Sequence, residues 1–129
     1  MITGNKKIAY ITGTRADFGL MTPILKAIEK SPKLKLQLYA TGVHLMPEFG
    51  RTFKYVNRIF PKTVVLNATF KTDDRKGTAK FTGEFIKRLV LNLNKNRPDI
   101  VLILGDRPEM LCTATVCLYL GIPTAHIHG

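Results

Sequence analysis

An open parallel β-sheet with helices on both faces, the α/β class, is the fold this sequence predicts. Three observations carry it. Five short apolar runs alternate with four helical patterns, in the order βαβαβαβαβ. The run Ile100 to Leu104 is apolar without interruption, as a central strand covered on both sides must be. The chain has 129 residues, 45% of them hydrophobic, which is enough for one compact domain with a core and too little for two. The crossovers between parallel strands are expected to be right-handed.

The elements follow in order. Ile8 to Thr12 reads as the first strand, closed by Gly13. Leu20, Ile24, Leu25 and Ile28 recur at helical spacing, with Pro23 suited to a first turn, so a helix is expected from about Phe18 to Leu20 up to Lys30, before Ser31-Pro32. Leu34 to Thr41 is the second strand. Glu48 to Ile59 places Phe49, Phe53, Val56 and Ile59 on one face of a second helix, and Thr63 to Leu66 is a short third strand. Lys71 to Lys80, polar and basic, reads as a loop. Phe81, Phe85, Ile86, Leu89, Val90 and Leu93 then mark the apolar face of the longest helix, which Arg97-Pro98 stops. After the strand Ile100 to Leu104, Pro108 opens an apolar helix reaching about Leu120, and Thr124 to Ile127 is the fifth strand.

Composition narrows the function. A formal net charge of +11 raises the possibility of a nucleic-acid partner. The cations are dispersed, however, and no aromatic residues alternate with them to form a stacking platform, so solvated helix faces and attraction for a small anion are favoured. Met1 to Lys7 has no apolar stretch of signal-peptide length, and Met110 to Ile127 is interrupted by Thr113, Thr115, Gly121 and Pro123, so a soluble, cytoplasmic protein with no membrane partner is expected. Cys112 and Cys117 have neither metal-ligand nor redox spacing and read as packed thiols. No metal or cofactor is expected.

Ligands of such sheets bind beyond the carboxyl ends of the strands. The unusual residues lie on that rim: Gly13-Thr14-Arg15-Ala16-Asp17-Phe18-Gly19 after the first strand, Gly42-Val43-His44-Leu45 after the second, Gly105-Asp106-Arg107-Pro108-Glu109 after the fourth, and His126-Ile127-His128-Gly129 at the fifth. Taken singly, each has a plain reading: Gly13 and Gly105 as tight turns, Asp106 as a helix N-cap, Arg15 as a surface charge, His126 as a satisfied imidazole at a strand end. Taken together, two cations and one or more carboxylates beside helix N-termini suit an anionic phosphate ligand with an acid/base centre next to it. Gly13 and Gly19 fit neither the dinucleotide fingerprint nor a P-loop, and no acidic residue ends the second strand, which disfavours NAD and ATP. The first strand also lacks the acidic pair of a phospho-acceptor receiver domain.

At these motifs the chain resembles a known family. Thr12-Gly13-Thr14-Arg15-Ala16-Asp17-Phe18-Gly19-Leu20, Thr41-Gly42-Val43-His44-Leu45 with Glu48-Phe49-Gly50, and Leu104-Gly105-Asp106-Arg107-Pro108-Glu109-Met110 leading to Gly121-Ile122-Pro123-Thr124-Ala125-His126-Ile127-His128-Gly129 are similar, in order, to the hydrolysing UDP-N-acetylglucosamine 2-epimerases of sialic-acid-type sugar pathways. Ala16-Asp17 and Arg107 favour the hydrolysing branch over the non-hydrolysing one. The resemblance implies a Rossmann-like domain, the amino-terminal half of a two-domain GT-B-type fold that holds a UDP-sugar in its cleft, and a homo-oligomer. It implies elimination of UDP from the anomeric carbon to give a glycal, then addition of water to yield N-acetylmannosamine and UDP. Asp106 is then the foremost acid/base candidate, with His126 and His128 as further catalytic candidates. Arg15, Asp17, His44 and Arg107 are candidate substrate contacts. Some relatives carry Glu where His128 stands.

The chain ends at Gly129, and the family pattern places a carboxyl-terminal UDP-binding domain beyond that point. The expectation is therefore a truncated amino-terminal domain that is inactive by itself. A non-catalytic nucleotide-sugar-binding or assembly module is the alternative, and a basic nucleic-acid-binding domain the more distant one. The sugar is N-acetylglucosamine or a diacetamido analogue.

Overall fold

The computed structural model describes residues 5–128; Met1–Gly4 and Gly129, on which parts of the amino-terminal and last-loop readings fall, lie outside the described residues. The elements are β1 (Lys6–Thr12), α1 (Arg15–Lys30), β2 (Leu34–Ala40), α2 (Phe53–Ile59), β3 (Val64–Val65), α3 (Arg75–Lys95), β4 (Ile100–Leu104), α4 (Pro108–Leu120) and β5 (Thr124–Ile127). The five strands form one parallel sheet in the order β3-β2-β1-β4-β5. β1 runs through its middle, paired with β2 from Lys6↔Leu34 to Thr12↔Ala40 and with β4 from Ile8↔Ile100 to Tyr10↔Leu102. β4, α4 and β5 have the bounds expected from the sequence.

Alternation along β1 sorts the core into two layers. Ala9 and Ile11 face a cluster built mainly by α3 and α4, including Phe81, Phe85, Leu89, Leu93 and Cys117, with Ile122 from the turn after α4. Tyr10 faces the other cluster, with Phe18, Met21 and Leu25 of α1, Val56 of α2, and Ile103 and Met110. The two thiols are buried and free, and burial raises both, Cys117 to about 11, so neither is a thiolate near neutral pH.

Three helix readings need correction. α1 begins at Arg15, a full turn before the expected start, because Thr14 and Asp17 form a capping box. Pro23 is consequently interior rather than in the first turn; it lies on the exposed side, where the carbonyl it leaves unbonded meets water. The buried stripe is Phe18, Met21, Leu25 and Ile28, while Leu20, at 70% exposure, faces solvent. The expected helix Glu48–Ile59 is broken: Pro47–Phe49 is a 3-10 turn ended by Gly50 (φ 78°) and Arg51 (φ 48°), and α2 starts only at Phe53. Two successive left-handed residues cannot continue a right-handed helix. Conversely, α3 takes up half of the expected Lys71–Lys80 loop, because Asp74 caps it by accepting the Gly77 N–H at 2.7 Å. The Thr72 hydroxyl and, after it, that bond hold Asp74 below the usual carboxylate range.

Candidate functional site

The chain fills the sheet outwards from β1 in one direction through β2 and β3, then returns to add β4 and β5 on the other side. The order therefore reverses between β1 and β4, the place in such sheets at whose carboxyl-end loops ligands bind. Their residues are the Thr12–Asp17 turn and the Gly105–Glu109 turn.

The first turn is held by Asp17, which is 6% exposed. Its Oδ1 accepts the hydroxyls of Tyr10 (2.9 Å) and Thr12 (2.5 Å), and its Oδ2 accepts the N–H groups of Gly13 (3.0 Å) and Thr14 (2.7 Å) and the Thr14 hydroxyl (3.0 Å). Five donors fill the lone-pair sites of the carboxylate. Because the Thr12 hydroxyl spends its proton on Asp17, the contact between Thr12 Oγ1 and His44 Nε2 (2.8 Å) requires the imidazole to donate. His44 Nδ1, 2.8 Å from Thr52 Oγ1, then accepts. Burial lowers the His44 pKa, opposed in part by the Asp17 charge, so the ring is neutral in this one tautomer. Asp17 and His44 are thus brought together as a buried frame that ties β1 to the loops after β2.

That frame presents Arg15 as the first residue of α1. Its guanidinium stands 4.4 Å over the Tyr55 ring, which also has Lys54 Nζ at 5.3 Å and Arg58 at 5.7 Å. The ion pairs among the described residues are Arg88–Glu84 and Arg107–Glu109, so this trio of cations is uncompensated at a helix N-terminus. Such a place attracts anions.

The second turn starts with Gly105 in the left-handed region (φ 71°), its N–H given to the Ile127 carbonyl at 3.0 Å. The Gly105 carbonyl accepts from His126 Nε2 at 2.7 Å, which assigns that proton. His126 therefore braces the residue before Asp106. Asp106 itself is exposed, and Arg107, not Asp106, occupies the N-cap position of α4, without a side-chain cap bond. The N-cap reading of Asp106 is replaced by that of a carboxylate projecting from a braced turn. His128 follows β5, exposed, with φ 57°.

Glu109 completes the turn. It is 1% exposed, and its Oε1 and Oε2 accept from Arg107 Nε (3.2 Å) and Nη2 (3.3 Å). The Arg107 side chain is 43% exposed and lines a cavity of about 400 Å³ with Val43, Met46, Glu48, Phe49, Phe70, Lys71, Thr72, Asp73 and Thr78. Of the site residues expected from the sequence, Arg107 alone lines this cavity; His44 borders a second, of about 490 Å³, with Arg51 and Lys54. Arg15 and Asp106 line neither of these cavities and lie in the exposed turns after β1 and β4.

A model of the family described as UDP-N-acetylglucosamine 2-epimerase matches residues 26–129. The chain belongs to the UDP-N-acetylglucosamine 2-epimerase family. It is 39% identical over 125 residues to a UDP-N-acetylglucosamine 2-epimerase of Neisseria meningitidis, covering 96% of this chain and 32% of that protein. It is 37% identical over 128 residues to a UDP-N,N'-diacetylbacillosamine 2-epimerase (hydrolyzing) of Legionella pneumophila, covering 96% and 33%. A solved UDP-GlcNAc 2-epimerase of Methanocaldococcus jannaschii, in complex with UDP-GlcNAc and UDP, superposes with a TM-score of 0.77 at 28% identity, over 95% of this chain and 32% of that one. The chain thus spans about a third of the length of these epimerases.

Two features of this epimerase-family domain escaped the sequence reading. One is the Thr14–Asp17 capping box, legible as Thr-x-x-Asp but lying ahead of the apolar spacing that begins at Leu20. The other is Glu109. Its signal was positional, since Glu109, Cys112, Thr113, Val116 and Cys117 share the buried stripe of α4, and a carboxylate on such a stripe needs a reason.

Proposed function

We propose that this chain forms the amino-terminal half of the active site of a hydrolysing UDP-sugar 2-epimerase, converting UDP-GlcNAc or a diacetamido analogue to the 2-epimeric free sugar and UDP. One observation carries the reading: the β1 and β4 loops leave neighbouring strands where strand order reverses, one presenting Arg15 at a helix N-terminus and the other an exposed Asp106 next to the braced Gly105. The diphosphate lies against Arg15 and Arg107, whose charge favours its departure from the anomeric carbon. Asp106 exchanges the proton at C2 or at the attacking water, and His126 and His128 stand beside it on the β5 side. Asp17 and His44 act from behind, holding the turn that carries Arg15. The relatives bound to UDP-GlcNAc and UDP, and those named as hydrolysing, support the substrate and branch. Self-association belongs to the same proposal; the outer face of α4 exposes Leu111, Leu118 and Tyr119, and sedimentation equilibrium measures it.

Because half of such a cleft would come from a second domain, residues 1–129 alone are expected to release no UDP from UDP-GlcNAc above background. Joined to the remaining part of the Neisseria meningitidis relative, the chain should turn over, and Asp106→Asn should abolish turnover with the melting temperature kept. A joined protein that binds UDP-GlcNAc but never releases UDP would favour the non-catalytic binding module. An Asp106→Asn variant with normal turnover would remove Asp106 from the chemistry.

A further inference from the structure

Three rim loops close around one buried carboxylate. A Cβ placed on Gly13 would lie 2.1 Å from Glu109 Oε2, and one placed on Gly42 would lie 3.5 Å from the same atom. The glycines after β1 and β2 therefore leave the space that the Glu109 side chain, rooted in α4, occupies. A buried charge is tolerable only with a partner, and among the described residues this carboxylate has one, Arg107. The pair is lopsided: Glu109 is almost wholly enclosed while Arg107 reaches the cavity. For stability alone, an apolar residue on this stripe would serve as well or better.

A guanidinium has five N–H donors in a fixed plane. Glu109 engages the Nε–H and one Nη2–H, which leaves three donors, two of them, one on each Nη, sharing the outer edge of the fork on a side chain that lines the cavity. We propose that Glu109 is a positioning residue that locks the Arg107 fork against the Gly13 and Gly42 backbones and presents its outer edge to phosphate oxygens of a nucleoside diphosphate. The inference rests on the reading of Arg107 as an anion contact.

Nitrogen-15 NMR of the chain tests it through the Arg107 Nε–H resonance, identified by its loss in Arg107→Lys. In the unaltered chain this proton exchanges with water about ten-fold more slowly than that of Arg88, whose pair with Glu84 is exposed. Glu109→Gln, which keeps the shape and removes the charge, raises the exchange to the Arg88 rate. With inorganic pyrophosphate as the probe, the affinity read from the Arg107 shift falls about five-fold in that variant, the weight of a weakened charge-assisted bond. Exchange unchanged in Glu109→Gln overturns the positioning role. Should that variant fail to fold, the unaltered chain still decides, because exchange at Arg107 no slower than at Arg88 overturns the role as well. Slow exchange at Arg107 together with no response to pyrophosphate overturns instead the anion reading beneath it, so the two failures are told apart.

Discussion

Substituting Gly13 by alanine tests the packing of the rim by a sign. The new methyl would sit 2.1 Å from Glu109 Oε2, 2.7 Å from its Cδ and 2.9 Å from its Cγ, and these are its three nearest neighbours. The carboxylate would have to retreat by about 1.3 Å to reach ordinary contact at 3.4 Å. Its bonds to Arg107 are already 3.2 and 3.3 Å, so retreat breaks them. Overpacking of this kind costs about 1–3 kcal/mol, and a lost charged hydrogen bond adds about 1.5 kcal/mol or more, so Gly13→Ala should destabilise by about 3 kcal/mol. In a Glu109→Ala background the obstacle is gone. Gly13 is outside the positive-φ glycines, so alanine there meets no backbone strain and restricts the unfolded chain, a gain of about 0.5 kcal/mol. Urea denaturation of the four proteins in the cycle should therefore give a coupling of about 3 kcal/mol, with Gly13→Ala harmful in one background and neutral or helpful in the other. The same cost in both backgrounds, within about 0.5 kcal/mol, would refute the argument that Glu109 fills the Gly13 space.

Further outcomes follow from the frame behind the Thr12–Asp17 turn. Asp17→Asn replaces an oxygen surrounded by donors with an amide that must donate, and should cost about 3 kcal/mol, read as a melting-temperature loss of roughly 10 °C in calorimetry; a loss under about 2 °C would contradict the five-donor assignment. His44, whose folded pKa is depressed by burial, gives stability that is complete above the unfolded value of 6.5 and is lost as pH falls through the folded value. Stability of the chain should thus decline as pH falls from 6.5 towards the folded value, by up to about 1.4 kcal/mol per pH unit from this group, and level off below it, and His44→Gln should remove that slope; an unchanged slope assigns the acid sensitivity elsewhere. Arg15→Ala, in the protein joined to a second domain, should weaken UDP binding by about ten-fold in titration calorimetry, whereas equal affinity would leave Arg15 as a companion of Tyr55 only.

Much of this fold was legible because its determinants are local. Ile100–Leu104 reads as a central, doubly covered strand and Pro108 as the start of α4, as both are in the structure, and Gly121, at φ 70°, marks the end of that helix. Parallel strands joined by helices also force every strand-to-helix loop to one edge, so the sequence alone puts Arg15, His44, Asp106 and Arg107 on a common rim. The helix starts at Thr14 and Asp74 were equally local, but they are written in capping side chains rather than in apolar spacing.

What tertiary structure alone decided is who meets whom on that rim. Hydrophobic period does not say which side of β1 the strand after α3 will join, and that choice sets the reversal of strand order between β1 and β4. The donor assigned to His44, the brace of His126 on Gly105, and the burial of Glu109 beside Gly13 each depend on a partner from a different strand loop. Apolar patterning specifies a face through many weak, interchangeable contacts and survives reading one residue at a time. A buried polar group is specified by single directional bonds, and these exist only once the distant segments have been packed together.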